Sequence, residues 1–555
     1  VGRVGPPWGG ELHRMAWSTL PLLVVVLLWL GPTGVAPFGI AVDTTNGCTE
    51  CQSVVAELET EWTNATTVQE ILDSLESQCK QKYRLQPFKQ ELCDKVAEVW
   101  VTIPPGVFSG LESLDWPIPL GVCATLGQCA TPCCEVGGAP EQIHLALSTE
   151  PSHMGVSWTT LNGNTSVVEY TVVEQSLSND AGETEKTTRT VRTNGTVAQW
   201  WLDPWPRAGW QGSLHHAVMV DLSPSTSYSY RVGDGDDLWS DFATFTTLPE
   251  ASSAETTLRF AVIADMSFES VSDNVVASLT SLVNDGKIDA VIHSGDVSYA
   301  DGFMQHWDTF FNKIEPIASR VPYMVTPGNH EFWYNFSAYK ARFNMPGSDG
   351  MGEGGSGDSM FYKWAINAGS TAISFLACDS ESMIDTANFA QFGSGQLDWM
   401  QTELANVPTD SRPWVVAHFH RPVYCSNNHQ ACEEGATVLQ RQAEEMFVDG
   451  GVDLVLGGHV HSYERTYPMK GGNSTQHHYN CDGGCAPTYI VQGASGNREG
   501  NDGFGDTPEW SANHNSSVGF GLMAVNRTAL TWRFFAAPEE ADGATLVDEF
   551  HMTRG

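Results

Sequence analysis

The period of the hydrophobic pattern changes along the 555 residues. An unbroken apolar run from Leu20 to Leu30, with Arg14 upstream of it, has the length of a signal-peptide core and is short for a bilayer span. Residues 1–41 are therefore expected to be leader and signal peptide, cut after Ala41 with Gly39 at the small −3 position. An uncleaved signal anchor is the alternative. In residues 45–131, Val68, Ile71, Leu72, Leu75 and Cys79, then Phe88, Leu92, Val96 and Val99, recur at helical spacing. Over residues 138–250 the spacing tightens: QIHLALS, GVSWTTL, VVEYTVVE, HHAVMVDL and SYSYRVG are β-branched or aromatic runs between polar turns, which predict a small β-sandwich. From residue 256 to 555, short apolar runs alternate with helical stretches such as VSDNVVASLTSLVNDG and ATVLQRQAEEMFVDG, predicting a layered α/β domain. The Gly/Ser-rich stretch 348–359 is expected to be a surface loop.

Charge narrows the partners. Asp and Glu number 66 against 28 Lys and Arg, a net charge of −38 at pH 7. Such a chain repels nucleic acid, which is excluded as a partner, and anionic membranes at neutral pH. The repulsion fades where carboxylates begin to protonate. Thirteen cysteines, eight of them between Cys48 and Cys134, point to an oxidising compartment. So do the glycosylation sequons at Asn64, Asn164, Asn194, Asn335, Asn473, Asn515 and Asn526. Cys425 with Cys432, and Cys481 with Cys485, are expected to close small loops by disulfides, leaving Cys378 at the end of AISFLACD as a buried thiol.

The frame Cys48-x2-Cys51, Cys79, Cys93, Cys123-x5-Cys129 lacks a second pair at zinc spacing. It resembles the saposin B-type domain, an α-helical module. That resemblance implies the pairs Cys48–Cys129, Cys51–Cys123 and Cys79–Cys93, and contact with lipid, a membrane surface or an amphipathic substrate; a folded spacer or prosegment is the alternative. Cys133 and Cys134 fall outside the frame. The phrase VDLSPSTSYSYRVGDG resembles the end of a fibronectin type III-like domain, with Tyr228 and Tyr230 as packing residues.

Five apolar runs end in residues that ligate metals. LRFAVIA leads to Asp265, IDAVIHSG to Asp296 and Tyr299, VPYMVTPG to Asn329 and His330, WVVAHF to His420, and VDLVLGG to His459 and His461. In α/β folds the loops at the carboxyl ends of strands converge on one site. A lone GD or GNH is more often a turn, and a lone His a structural residue, but five such runs in order point to a metal centre. His418 rivals His420 for one position.

GDVSY, GNHE, the segment His420-Arg-Pro-Val-Tyr and GHVHSYER are similar to motifs of the purple acid phosphatases, within the calcineurin-like metallophosphoesterases. The resemblance runs from about residue 140 to the end, with YIVQGASGNREG and SVGFGLM in a C-terminal part of about 485–550. It departs at ADMS (264–267), where the family has GDxG; the Asp is kept. The resemblance implies a binuclear centre, with Fe(III) on Asp265, bridging Asp296, Tyr299 and His461, and a divalent zinc, manganese or iron on Asp296, Asn329, His420 and His459. Hard anionic oxygens suit ferric iron, and the less charged set suits a divalent ion. The segment RPVYCS favours His420 over His418. The implied activity is acid hydrolysis of a small phosphate monoester by metal-bound hydroxide. His330 and His429 are implied to bind phosphate oxygens and protonate the leaving group. Gln430 stands where some relatives carry a second His. A secreted or lysosomal/vacuolar lumen is the implied location.

Two alternatives come from other classes. An acid sphingomyelinase-like phosphodiesterase also joins a saposin-like module to this fold, but that family has Asp-x-His in the first motif and lacks the Tyr ligand. A non-catalytic lipid-binding or cell-wall protein is disfavoured by the complete set of ligand residues.

Overall fold

The computed structural model describes residues 138–161, 163–173, 190–198, 210–333, 335–384, 395–408, 413–429, 438–482, 484–539 and 543–554, together with residues 131, 132, 134 and 432. The leader and signal segment, the frame of Cys48, Cys51, Cys79, Cys93, Cys123 and Cys129, Cys133, Gln430 and the sequon at Asn64 lie outside the described residues.

The alternating segments of 138–250 fold as two four-stranded sheets. One contains Glu141–Leu147, Met154–Thr160 and Ser213–Met219; the other contains Val167–Val172, Ser227–Gly233 and Ala243–Thr246. Inward positions such as Val156, Trp158, Tyr170, Tyr230 and Phe245 form their shared core. Tyr228 and Tyr230 are both buried.

The larger unit consists of two more sheets. The first takes β1 (Leu258–Ile263), β2 (Ala290–Ser294) and β3 (Tyr323–Thr326), all parallel. The second takes β4 (Tyr362–Ala368), β5 (Thr371–Ala377), β6 (Trp414–His418), β7 (Leu454–Gly457), β8 (Tyr463–Thr466), β9 (Thr488–Gln492) and β10 (Ser511–Asn515). The chain returns to the first sheet as β11 (Gly519–Val525), β12 (Ala529–Ala536) and β13 (Thr545–Thr553), with β11 antiparallel to β1. The core between the sheets is aromatic: Trp364 stacks on Phe375 at 3.8 Å, and Phe260 meets Phe375 at 5.2 Å. Each ring so buried contributes about 2–3 kcal/mol of transfer free energy. The parallel strands β1, β2, β3, β6, β7 and β9 are almost wholly buried, so their pattern is continuous, whereas β12 and β13 alternate buried with more exposed positions.

Helix α1 (Asp273–Asn284) follows β1, and α2 (Met304–Ala318) follows β2. Val275, Val276, Leu279 and Val283 give α1 one apolar face, and Trp307, Phe310, Phe311, Ile314 and Ile317 do the same for α2. The described residues are nevertheless richer in strand than in helix. Of ATVLQRQAEEMFVDG, residues 438–449 are helical throughout, with a π-type stretch at Gln440–Glu444 running into Glu445–Asp449.

The sandwich docks on α2. His144 stacks on Phe311 at 4.6 Å, Gln142 N–H donates to Glu315 at 2.6 Å, and the Tyr230 hydroxyl donates to the Ser319 carbonyl at 2.7 Å. The stretch 348–359 is not simply a surface loop. Its Met351 is fully buried over Gly155, and the Met351 carbonyl accepts the Thr149 N–H at 3.1 Å, because glycine leaves the space that the thioether fills.

Cys425 is bonded to Cys432 and Cys481 to Cys485, Cys134 is also disulfide-bonded, and Cys378 is a buried free thiol. Asn164, Asn194, Asn335, Asn473 and Asn526 are exposed, and Asn515 is half-buried. No described helix is long and apolar enough to cross a membrane.

Candidate metal centre

Each of the five runs ends as a strand, or just past one, at the carboxyl edge of the parallel strands. Asp265 follows β1, Asp296 follows β2, Asn329 and His330 follow β3, His420 follows β6, and His459 and His461 follow β7. The first three loops belong to one sheet and the last two to the other, so the site lies where the two sheets meet. Asp265, Asp296, Tyr299, Asp301 and His459 all have φ between 46° and 67°, among eleven described non-glycine residues with positive φ. Left-handed backbone at this density marks turns that aim side chains at a common point. The loops also come very close: a Cβ on Gly328 would lie 2.2 Å from Asp296 Oδ1, and one on Gly458 would lie 2.4 Å from Asp265 Oδ2.

Two groups of lone-pair atoms result. In the first, Tyr299 Oη lies 3.2 Å from Asp265 Oδ1 and 2.9 Å from His461 Nε2. His461 Nδ1 donates to the Gly500 carbonyl at 3.1 Å, so its Nε2 faces the site without that proton. In the second, His420 Nε2 lies 3.0 Å from Asn329 Oδ1 and 3.1 Å from Asp296 Oδ2. His420 Nδ1 points at the Ser294 carbonyl, 3.2 Å away. Ligand atoms of Asp296, His420 and His459 all lie within 4.8 Å of one another.

Such a constellation calls for a cation. Asp296 Oδ2 is buried and no donor is well directed at it, although His420 Nε2 is close. Burial opposes the charged form of His420, yet the carboxylates of Asp296 and Asp265 raise its pKa to about 9. Burial likewise opposes ionisation of Asp296, but His420 and His330 hold its carboxyl well below the usual range. Burial, then Asp265 and Asp296, push the Tyr299 phenol well above its ordinary value. A metal ion would take the place of these protons, so the donor set fits one.

His330 and His429 stand at the rim. His330 Nδ1 donates to Asp301 Oδ1 at 2.6 Å, and its Nε2 lies 3.6 Å from Glu499. Burial alone would lower His330, but Asp301 and Asp296 raise it well above the ordinary imidazole value. The His429 ring is 5.5 Å from that of His459. His418 is separate from this group. It is fully buried beside Trp364 and Phe375, and burial lowers its pKa to about 3. Both side chains lie toward the first sheet, but His418, the last residue of β6, is packed in the core, whereas His420, past the strand end, reaches the ligand loops at the carboxyl edge. Ser267, in the departing ADMS motif, accepts the Glu269 N–H at 3.0 Å without displacing Asp265 from the group.

Several supporting residues have no role in the sequence analysis. Glu331 accepts the N–H groups of Val297 and Gly328 at 3.0 and 2.8 Å, tying the Asp296 loop to the Asn329 loop. Burial and Asp296 push Glu331 up to about 8. Asp301 also receives the Arg498 guanidinium. Arg421 bonds Glu381 at 2.9 and 3.0 Å and donates to His459 Nε2 at 2.9 Å. Glu331 and Arg498 sit inside GNHE and SGNREG, so a signal existed; Glu381 carried none.

The fold and its edge of donors define a metallophosphoesterase. The calcineurin-like phosphoesterase family matches residues 258–463, between a purple acid phosphatase N-terminal domain at 140–247 and an iron/zinc purple acid phosphatase-like protein C segment at 486–549. Acid phosphatase type 7 of Danio rerio is 30% identical over 456 residues, covering 75% of this chain and 93% of its own. Purple acid phosphatase 18 of Arabidopsis thaliana is 32% identical over 423 residues, covering 74% and 84%. The solved structure of a purple acid phosphatase from yellow lupin seeds shares the fold, with a TM-score of 0.59 over 75% of both chains at 22% identity. The chain belongs to the purple acid phosphatase family and is a metal-dependent acid phosphatase.

Proposed function

We propose that this centre binds two metal ions and releases phosphate from monoesters. The reading rests on the convergence of Asp296 Oδ2, Asn329 Oδ1 and His420 Nε2 beside the group of Tyr299 Oη, Asp265 Oδ1 and His461 Nε2. Asp265, Asp296, Tyr299 and His461 would hold Fe(III); Asp296, Asn329, His420 and His459 would hold a divalent zinc, manganese or iron. When bound, the two ions supply Lewis-acid charge at the phosphoryl oxygens and lower the pKa of water.

The side chains around them do the rest. Asp301 fixes the His330 ring, leaving Nε2 to donate to a phosphoryl oxygen. His429, half-buried on its disulfide-closed loop, gives a proton to the leaving oxygen. Residues 138–250 and 256–555 would be the sandwich and catalytic domains. The exposed sequons at Asn164, Asn194, Asn335, Asn473 and Asn526 support a secreted or lysosomal/vacuolar enzyme.

The test is the visible absorption of the metal-loaded protein, beside its hydrolysis of a phosphate monoester and a diester. A broad band in mid-visible that Tyr299→Phe abolishes, with turnover of the monoester, is the expected result. A colourless protein carrying two zinc ions and preferring the diester would overturn it.

A further inference from the structure

Strand β8 leaves the metal-facing turn at His461 and carries Tyr463, Glu464 and Arg465 in succession. Side chains alternate along a strand, so the middle residue faces away from its neighbours. Tyr463 and Arg465 both grip Asp548 of β13: the phenol donates to Oδ2 at 2.7 Å, and the guanidinium donates to Oδ2 and Oδ1 at 2.7 and 2.9 Å. Glu464 points the other way, with only 1% of its surface exposed. Its carboxylate accepts the Ser426 N–H at 2.7 Å, the Ser426 hydroxyl, and the Ser511 hydroxyl at 2.6 Å.

Ser426 opens the loop that carries His429. The Cys425–Cys432 bond ties the ends of that loop. Further anchors hold it to the rest of the fold: Glu464 on Ser426, Ser462 accepting from Asn427 Nδ2 at 3.1 Å, and the Gly503 carbonyl accepting from Asn428 N–H at 3.1 Å. Asn427 Oδ1 in turn accepts the His429 N–H at 2.9 Å. A carboxylate taken out of water is destabilised unless its lone pairs are met. Here the donors of Ser426 and Ser511 meet them, so the loop is locked to the same strand segment that carries the metal-facing turn.

We propose that Glu464 is a positioning residue that sets where His429 presents its ring to the leaving oxygen of the substrate; this rests on His429 being the proton donor. Proton donation matters most for a poorly stabilised alkoxide and least for a leaving group that departs readily as an anion. Glu464 therefore governs turnover of alkyl phosphates selectively, although it touches neither substrate nor metal ligand.

The experiment compares an alkyl phosphate with p-nitrophenyl phosphate in the metal-loaded full chain, for Glu464→Gln, Ser426→Ala, His429→Ala and the double variant Glu464→Gln/His429→Ala. Glu464→Gln is expected to lower kcat on the alkyl phosphate about tenfold or more and on p-nitrophenyl phosphate less than about threefold, with KM and metal content unchanged. Ser426→Ala, which removes one hydroxyl and so covers the case of a Gln variant that does not fold, is expected to give the same selectivity at about threefold. The double variant should match His429→Ala, because the two residues act as one unit. Equal loss on both substrates, or a further loss in the double variant, would overturn the positioning role. A His429→Ala enzyme without selectivity would instead remove the proton-donor reading, and this proposal with it.

Discussion

Asp301 receives the Nδ1 proton of His330 at 2.6 Å on one oxygen and the guanidinium of Arg498 on the other. Trp333 Nε1 adds a third bond at 3.3 Å. With both oxygens occupied, the carboxylate has one orientation, and so does the imidazole it holds. Asp301→Asn keeps the shape but loses the charge and breaks the match with Arg498. We expect kcat on a phosphate monoester to fall by about 10–100-fold with metal content intact. Steady-state kinetics paired with metal analysis checks this, and a change below about threefold would mean that His330 needs no such support.

His418 and His420 make opposite predictions from positions two residues apart in sequence. Neither ring nitrogen of His418 has a hydrogen-bond partner, and its pKa of about 3 keeps it neutral. Replacing an unsatisfied buried imidazole by an apolar side chain of similar size is close to neutral. His418→Leu should keep activity and metal content and shift stability by less than about 1 kcal/mol. His420→Ala should lose the divalent ion and activity together. Metal stoichiometry after dialysis decides the matter, and loss of metal from His418→Leu would reverse the assignment.

The strands were legible because buried parallel strands are short apolar runs, and the donors because each run ends in a distinctive tripeptide. The choice between His418 and His420 was not legible from spacing alone. Side chains two apart on a strand share a face, and both do lie toward the first sheet; depth separates them, since β6 ends at His418 and only His420 reaches past it to the carboxyl edge. Met351 was hidden inside a glycine-rich stretch, since composition reports solvation and not the void above Gly155 that Met351 fills. Glu381 was invisible because its partner Arg421 lies 40 residues away along the chain, and long-range pairing leaves no local pattern.

Gly328 is held by contact, not by its own torsions. A methyl there would sit 2.2 Å from Asp296 Oδ1 and 2.9 Å from His420 Cγ, two groups of the second cluster at once. Neither can retreat, since Asp296 Oδ1 also accepts the His330 N–H at 2.9 Å. Gly328→Ala should therefore displace the carboxylate. A displacement near 1 Å costs about 100-fold in turnover, and overpacking costs about 1–3 kcal/mol in stability. Activity should fall even where excess divalent metal is supplied. Full rescue by metal would mean that the loop yields without disturbing the site.

The junction of sandwich and catalytic domain carries its own pH dependence. Asp308 on α2 accepts Gln142 Nε2 at 3.1 Å and Trp210 Nε1 at 2.8 Å, with Arg342 Nη2 3.5 Å away. Burial raises its pKa from 3.8 to about 6, against the pull of Arg342. A carboxyl that holds its proton more tightly when folded contributes stability that is complete below about pH 4 and lost as pH rises through about 6. At about 1.36 kcal/mol per pH unit, the limit is about 3 kcal/mol. Asp308→Asn removes the titration but keeps the amide within reach of the same neighbours. Denaturation midpoints measured between about pH 4 and 7.5 should show the parent losing stability relative to Asp308→Asn as pH rises. A flat difference, or one of opposite sign, would mean that Arg342 keeps Asp308 ionised throughout, and that the junction is a plain ion pair.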